Sequence, residues 1–295
     1  MKRLVRSYRA IRVAVSLSFL PLLMREALLL HMGHEKGSIH QDVPGFIIWL
    51  MSRYEHLMMR TLNYLAMRDW MYRRDLNRRI MDFLSRRMMS FVNGEVLTLD
   101  EVRELLGSIF EGGYTVAIGT CPCRRALNML SDDVPNNTDM VIGLWAEEYL
   151  RHYPGLYHRI DKAEAEELVE SFDRYGYVHQ LYGFRSQEGS AYVLCNCNKD
   201  VCIPLRTQKE RGYQSFRKGR SLAMLDEEAC LGVEECGACL TRCPFDARVV
   251  EGGKGAVKED MCFGCGLCVT TCKGKATTLE RKKGAKLIYA RRLVS

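Results

Sequence analysis

The sequence predicts an α+β chain in three parts: a helical N-terminal region (1–92), an α/β middle region (93–221) and a small cysteine-rich C-terminal unit (222–295). Three observations carry this prediction. Charge changes sign along the chain, with 16 basic and 7 acidic residues in 1–92, 15 and 22 in 93–229, and 12 and 7 in 230–295. Hydrophobic periodicity changes with it, from a helical rhythm before residue 92 to alternating helix and strand patterns beyond. Eight of the 13 cysteines fall after residue 229.

In the N-terminal region Leu4, Tyr8, Ile11, Val15 and Leu22 follow a rough i, i+3/i+4 spacing, with Lys2, Arg6 and Arg9 on other faces. Pro21 interrupts this element, and residues 31–45 read as a linker in which His31, His34 and His40 are solvated. A second helical stretch is expected from Phe46 to about Phe91, with Trp49, Met58, Leu62, Leu65 and Met81 as its apolar content. The most apolar window, Val13 to Leu30, is broken by Arg25 and Glu26, short of the ~18 uninterrupted residues that a membrane span needs. It also lacks a small-residue cleavage site. Basic amphipathic helices of this kind pack on their own domain, dock on a partner, or make peripheral contact with an anionic membrane.

The middle region opens with a capping box, Thr98 and Glu101, ahead of apolar residues at 102, 105, 106, 109 and 110 and a glycine stop. A short strand (114–119) then runs into "CPCRR". A helix is expected over roughly 138–152, carrying Val141, Leu144, Trp145 and Tyr149, and another over 161–176, closed by Gly176. "YVHQLYGF" and "SAYVLCNC" read as a hairpin, so that helix and hairpin together suggest a winged-helix-like unit. That architecture often binds DNA. Here the block holding it is net negative, and no nucleic-acid partner is expected.

The cysteines carry the chemistry. They cluster as CxC and CxxC pairs, which in a reducing compartment read as metal ligands rather than disulfides, and place the chain in the cytoplasm of an anaerobic or low-oxygen cell. "CFGCGLCVTTC" is C-x2-C-x2-C-x3-C through Cys262, Cys265, Cys268 and Cys272. "CLGVEECGACLTRCP" is C-x5-C-x2-C-x3-C-P through Cys230, Cys236, Cys239 and Cys243. In such runs the first three thiolates wrap one [4Fe–4S] cluster and the fourth reaches the other. That assigns Cys230, Cys236, Cys239 and Cys272 to a first cluster, and Cys262, Cys265, Cys268 and Cys243 to a second. Paired zinc ribbons would want two CxxC pairs split by a longer loop.

On these motifs, with Gly264, Gly266 and the lead-in "KEDMC", residues 222–281 resemble the bacterial-type two-cluster ferredoxin domain. The resemblance implies one-electron transfer. Two departures stand out. Five residues separate Cys230 from Cys236 where the family has two, which puts the Cys230 ligand in question. Lys273 replaces the proline after Cys272 and sets a positive charge beside a first-cluster thiolate.

Upstream, Cys121 and Cys123 form one CxC, while Cys195, Cys197 and Cys202 form CxC-x4-C. Each CxC ends a predicted strand; if the strands are neighbours, four or five thiolates meet, with Arg124 and Arg125 available to offset their charge. A third iron–sulfur cluster, a structural zinc, redox dithiols and unliganded cysteines all remain open. Residues 96–281 also resemble a group of uncharacterised microbial proteins that place CxCR, VHQ-like and CNC segments before a ferredoxin domain.

No GxGxxG, GxxxxGK[ST] or nucleophile elbow occurs, so flavin, nicotinamide and nucleotide binding lack a signature. "EGGKGAV" reads as the turn between the two cluster motifs. The expectation is an electron-transfer protein serving as dedicated donor or acceptor to an unidentified redox partner. The alternatives are a reductase with its metal site at the upstream cysteines and a redox-responsive winged-helix regulator.

Overall fold

The computed structural model describes residues 45–184 and 191–286. The helix expected over Leu4–Leu22 and the three histidines of the 31–45 segment lie outside them. The second helical stretch is three helices, α1 (Gly45–Ala66), α2 (Trp70–Arg73) and α3 (Asp75–Phe91). The break before α3 falls at Arg74, whose backbone is extended at φ −100°, ψ 132°. α1 is not separate from the middle region. Ile48, fully buried on its inner face, packs in one core with Trp145, Tyr149 and Tyr192. Its outer face exposes Phe46, Leu50, Tyr54, Leu57 and Tyr64, and α3 likewise exposes Leu76, Ile80, Phe83 and Leu84. Among the described residues no helix is long and apolar enough to cross a membrane.

The middle region is a seven-stranded sheet with helices on both faces. Its elements are β1 (Val92–Leu97), α4 (Leu99–Glu111), β2 (Val116–Thr120), α5 (Pro122–Leu127), β3 (Asn137–Ile142), α6 (Leu144–His152), β4 (Tyr157–Arg159), α7 (Lys162–Tyr175), β5 (Val178–Phe184), β6 (Ala191–Cys197), α8 (Ile203–Arg211) and β7 (Phe216–Arg217). Strand order is β4-β2-β3-β6-β5-β1-β7, antiparallel throughout except where β7 runs parallel to β1. One face buries Ile118, Met140, Leu181 and Leu194 against Leu105, Val169 and Phe172 of α4 and α7. The other buries Ala117, Val141 and Val193 against α1 and α6. Burial on both faces explains why β6 reads as an unbroken buried run rather than an alternation.

Local chemistry sets the helix ends. The Thr98 hydroxyl accepts from Glu101 N at 3.2 Å, and the Glu101 carboxylate accepts from Thr98 N at 2.9 Å, closing the capping box. Asp161 caps α7, which stops at Gly176 in the left-handed conformation, φ 86°.

Two expectations need correction. Residues 138–152 are not one helix: β3 occupies 137–142, and Gly143 at φ 64° turns the chain into α6. The apolar run Met140–Ile142 is buried on both faces, a pattern that does not separate strand from helix by periodicity alone. The β5–β6 hairpin is not a projecting wing either. β5 pairs with β1 and β6 with β3, so the hairpin is the centre of the sheet.

The C-terminal unit is built on β8 (Ser221–Leu225) paired with β11 (Thr277–Arg281), and on β9 (Arg248–Glu251) paired with β10 (Lys254–Val257). Gly252 and Gly253, at φ 54° and 77°, make the tight turn of the second pair. Short helices α9 (Ala238–Arg242) and α10 (Leu267–Thr270) carry cysteines. The unit is tied to the sheet region through Gly219 N, which donates to Phe263 O at 2.9 Å, and through a buried ion pair, Arg220 Nε to Glu101 Oε1 at 2.8 Å.

Candidate metal centres

Two cavities in the C-terminal unit are each framed by four cysteines. Cys230, Cys236, Cys239 and Cys272 line one. Cys243, Cys262, Cys265 and Cys268 line the other. Each set draws three cysteines from one motif and the fourth from the other, the crossed arrangement that spacing suggested. The long Cys230–Cys236 interval does not keep Cys230 away. Gly232, at φ 89°, turns the loop, and Val233 N donates to Gly253 O at 2.9 Å, which folds the extra residues back over β9–β10.

The walls suit anionic sulfur. Ala247 N donates to Cys243 Sγ at 3.3 Å. A Cβ on Gly255 would stand 2.6 Å from Cys239 Sγ, so β10 approaches that thiol as only glycine allows. The Gly255 and Gly232 N–H groups pull Cys230 below the usual thiol range. Burial does the opposite at Cys265, well above that range, and at Cys268, where Arg248 opposes it.

Arg248 is the residue that sequence reasoning missed. It is buried, and its guanidinium donates to Cys268 Sγ at 3.2 Å, Thr277 Oγ1 at 3.1 Å and Gly255 O at 2.8 Å. Its field also opposes the effect of burial at Cys239. Among the described residues no carboxylate pairs with it, so the anionic sulfur sites are the charge it faces. A signal was available: Arg248 follows Cys243 by five residues, as Thr277 follows Cys272, so the two repeats place their unlike residues against each other. Lys273, by contrast, is exposed.

The upstream cysteines also converge. Cys195, Cys197 and Cys202 pack in one buried cluster, and Cys121 and Cys123 pack in another against Ile203, the residue after Cys202. All five are buried. The expected route to convergence was wrong in one respect: β2 and β6 are not neighbours but flank β3. The thiols meet because Cys121 lies just past the end of β2, as the N-cap of α5, and Cys202 is the N-cap of α8.

Contacts among the thiols split their proton affinities. The Cys123 contact and burial push Cys121 up to about 12. At Cys195 the Cys197 contact favours the anion, but burial and the Asp139 carboxyl outweigh it, giving about 12. Burial opposes ionisation of Cys202 as well, yet its Cys123 and Cys197 contacts bring it down to about 6. The N–H groups of Arg124 and Leu205 favour thiolate at Cys121 and Cys202, although neither closes a capping hydrogen bond. Arg124 and Arg125 do not offset the charge by contact. Arg124 donates to Met129 O and the Tyr177 hydroxyl, and Arg125 lies over the Tyr153 ring. Asp139 is no ready ligand, because burial holds its carboxyl at about 7 while it accepts from the Tyr157 hydroxyl at 2.6 Å.

Upstream and C-terminal sites share a wall. Cys195, Cys197 and Cys202 pack in one apolar cluster with Phe216, Phe263, Leu267 and Cys265. Phe263 stacks on Phe245 at 4.2 Å between ring centroids. Among the described residues no group of three or more His, Cys, Asp or Glu closes around the position of a single metal ion.

A family model for a 4Fe-4S dicluster domain matches residues 223–273. A comparison with curated proteins finds no match to this chain.

Proposed function

We propose that the chain is a dedicated electron-transfer subunit, in which the C-terminal unit carries two [4Fe–4S] clusters and exchanges single electrons with a redox partner. A 4Fe-4S dicluster domain is present, and iron–sulfur electron transfer is its chemistry. The observation that carries the ligand assignment is the pair of cavities, each lined by four cysteines in the crossed pattern. Cys230, Cys236, Cys239 and Cys272 hold the first cluster, and Cys243, Cys262, Cys265 and Cys268 the second. When bound, the clusters accept and release one electron each. The protein supplies burial, N–H donors to sulfur and the Arg248 charge, all of which set how readily that electron is held.

The helices before the sheet supply the docking face. The apolar stripes of α1 and α3 are exposed, and nine arginines against four acidic residues lie in 45–91. Residues 1–44 hold seven basic and three acidic residues, so like charge disfavours that segment as the cover. Charge complementarity favours an acidic patch on a partner protein.

Anaerobic reduction of the reconstituted chain with dithionite, followed by stepwise oxidation with a one-electron acceptor, tests the reading. Reversible uptake and release of about one electron per cluster is expected. A chain that takes up iron but cannot be cycled would sink it.

A further inference from the structure

The long interval between Cys230 and Cys236 builds an edge on the first cavity. Leu231, Gly232 and Val233 line that cavity, yet Leu231 also stands 44% exposed. One apolar side chain therefore reaches from the cavity wall to solvent. The loop is held in place: Val233 N donates to Gly253 O at 2.9 Å, Cys236 N to Gly232 O at 3.1 Å and Lys254 Nζ to Cys230 O at 2.6 Å. A contact made by a loop already fixed costs little ordering on association. All four cysteines of the first cavity are partly exposed, whereas Cys262, Cys265 and Cys268 of the second are buried. Cys265 and Phe263 pack against Cys195, Cys197 and Phe216 of the sheet region. Electron tunnelling falls steeply with distance, so the first cavity is the one that an outside centre can approach. Charge selects what approaches. Asp226, Glu227, Glu228, Glu234 and Glu235 are exposed around the loop, and residues 221–241 hold no lysine, arginine or histidine. Lys273 and Lys275, exposed on the Cys272 side, leave the edge net acidic.

We infer that the first cluster is the port through which electrons enter or leave the chain, and that the 230–236 loop docks a basic face around the partner's own one-electron centre, with Leu231 at the contact. The acidic edge steers that face into place, and Leu231 supplies apolar area beside the cluster. Transfer moves one electron between the partner's centre and the first cluster, one oxidised as the other is reduced, with no bond made and no proton required. The edge is opposite in sign to the α1 and α3 face, so the two surfaces select different partner patches. The inference rests on the two-cluster reading above.

The test follows oxidation of the reduced full-length chain by mitochondrial cytochrome c, a small basic one-electron acceptor, in anaerobic stopped flow at several salt concentrations. Iron content and EPR of each protein report whether both clusters are present. Glu234→Lys/Glu235→Lys and Glu227→Lys/Glu228→Lys should each slow transfer about tenfold at low salt and flatten its salt dependence. Glu227 and Glu228 lie before Cys230, so that variant still reads the edge if reversal beside Cys236 weakens the cluster. Leu231→Ala should slow transfer about threefold and leave the salt dependence unchanged. Glu111→Lys/Glu167→Lys, the same change in charge on α4 and α7, should slow it less than about twofold. Equal slowing by that control, or wild-type rates in both loop variants with both clusters present, would overturn the inference and leave the two-cluster reading standing. About four irons and one EPR signal in wild type would overturn the two-cluster reading, and the inference with it.

Discussion

Replacing Arg248 with methionine removes a buried positive charge while keeping a long, flexible side chain in the gap. In the native chain the guanidinium stands 3.2 Å from Cys268 Sγ. An added electron spreads over a whole cluster, so a separation of about 6 Å at an effective dielectric of about 20 gives roughly 3 kcal/mol of attraction for the reduced form. For one electron that is roughly 120 mV. Arg248→Met should therefore lower the potential of the second cluster by about that amount. The first cluster, whose Cys239 feels Arg248 without a hydrogen bond from it, should shift less in the same direction. Arg248→Lys keeps the charge but loses the planar fork that also reaches Thr277 and Gly255, so it should restore most of the potential and little of the rigidity. EPR-monitored redox titration of the three proteins reads both clusters at once. Equal potentials in wild type and Arg248→Met, with both clusters intact, would refute the argument that this charge is balanced by the anionic sulfur sites.

Gly255→Ala places a methyl 2.6 Å from Cys239 Sγ, so the first cluster should be lost or lose an iron while the second survives, as separate EPR signals would show. Glu101→Ala leaves the buried Arg220 with only the Glu104 carboxylate, 4.0 Å away, and opens the capping box, which should cost about 3 kcal/mol in chemical denaturation; Thr98→Ala, losing only the cap, should cost about 1 kcal/mol. Burial holds the imidazole of His179 below its ordinary value, with Nδ1–H donating to Asn196 Oδ1 at 2.6 Å. The unfolded chain therefore binds that proton first, and unfolding free energy should fall as pH drops below about 6.5, until the folded value is reached; His179→Asn should flatten that limb. Charge reversal at Arg79, Arg86 and Arg87 should slow electron transfer to a small acidic carrier protein and weaken its dependence on salt. Loss of binding to phosphatidylserine vesicles, with that transfer rate unchanged, would instead make the face a membrane surface.

Much of this was written locally. The Thr98–Glu101 box, the Asp161 and Gly176 helix ends and the turn at Gly252 and Gly253 are short-range patterns, and the structure shows each where the residues stand. What escaped depended on pairing at a distance. Asn137–Ile142 is a strand because it lies between β2 and β6 and is buried from both sides, which no window of its own sequence displays. The hairpin looked like a wing because its sequence does not show that its outer edges are paired. Arg248 looked like any charged residue on a short strand until the fold buried it against Cys268 and Thr277. The five upstream thiols were legible as a set, but their meeting point depends on two helix starts and not on adjacent strands.

The most direct test of the central claim is EPR spectroscopy of the anaerobically purified wild-type chain, reduced with dithionite and paired with iron and sulfide analysis. The account predicts S = 1/2 signals from reduced [4Fe–4S] centres, broadened by coupling between neighbouring clusters and reversible on reoxidation. A chain that holds zinc, or iron without sulfide, and gives no such signal on reduction would contradict it.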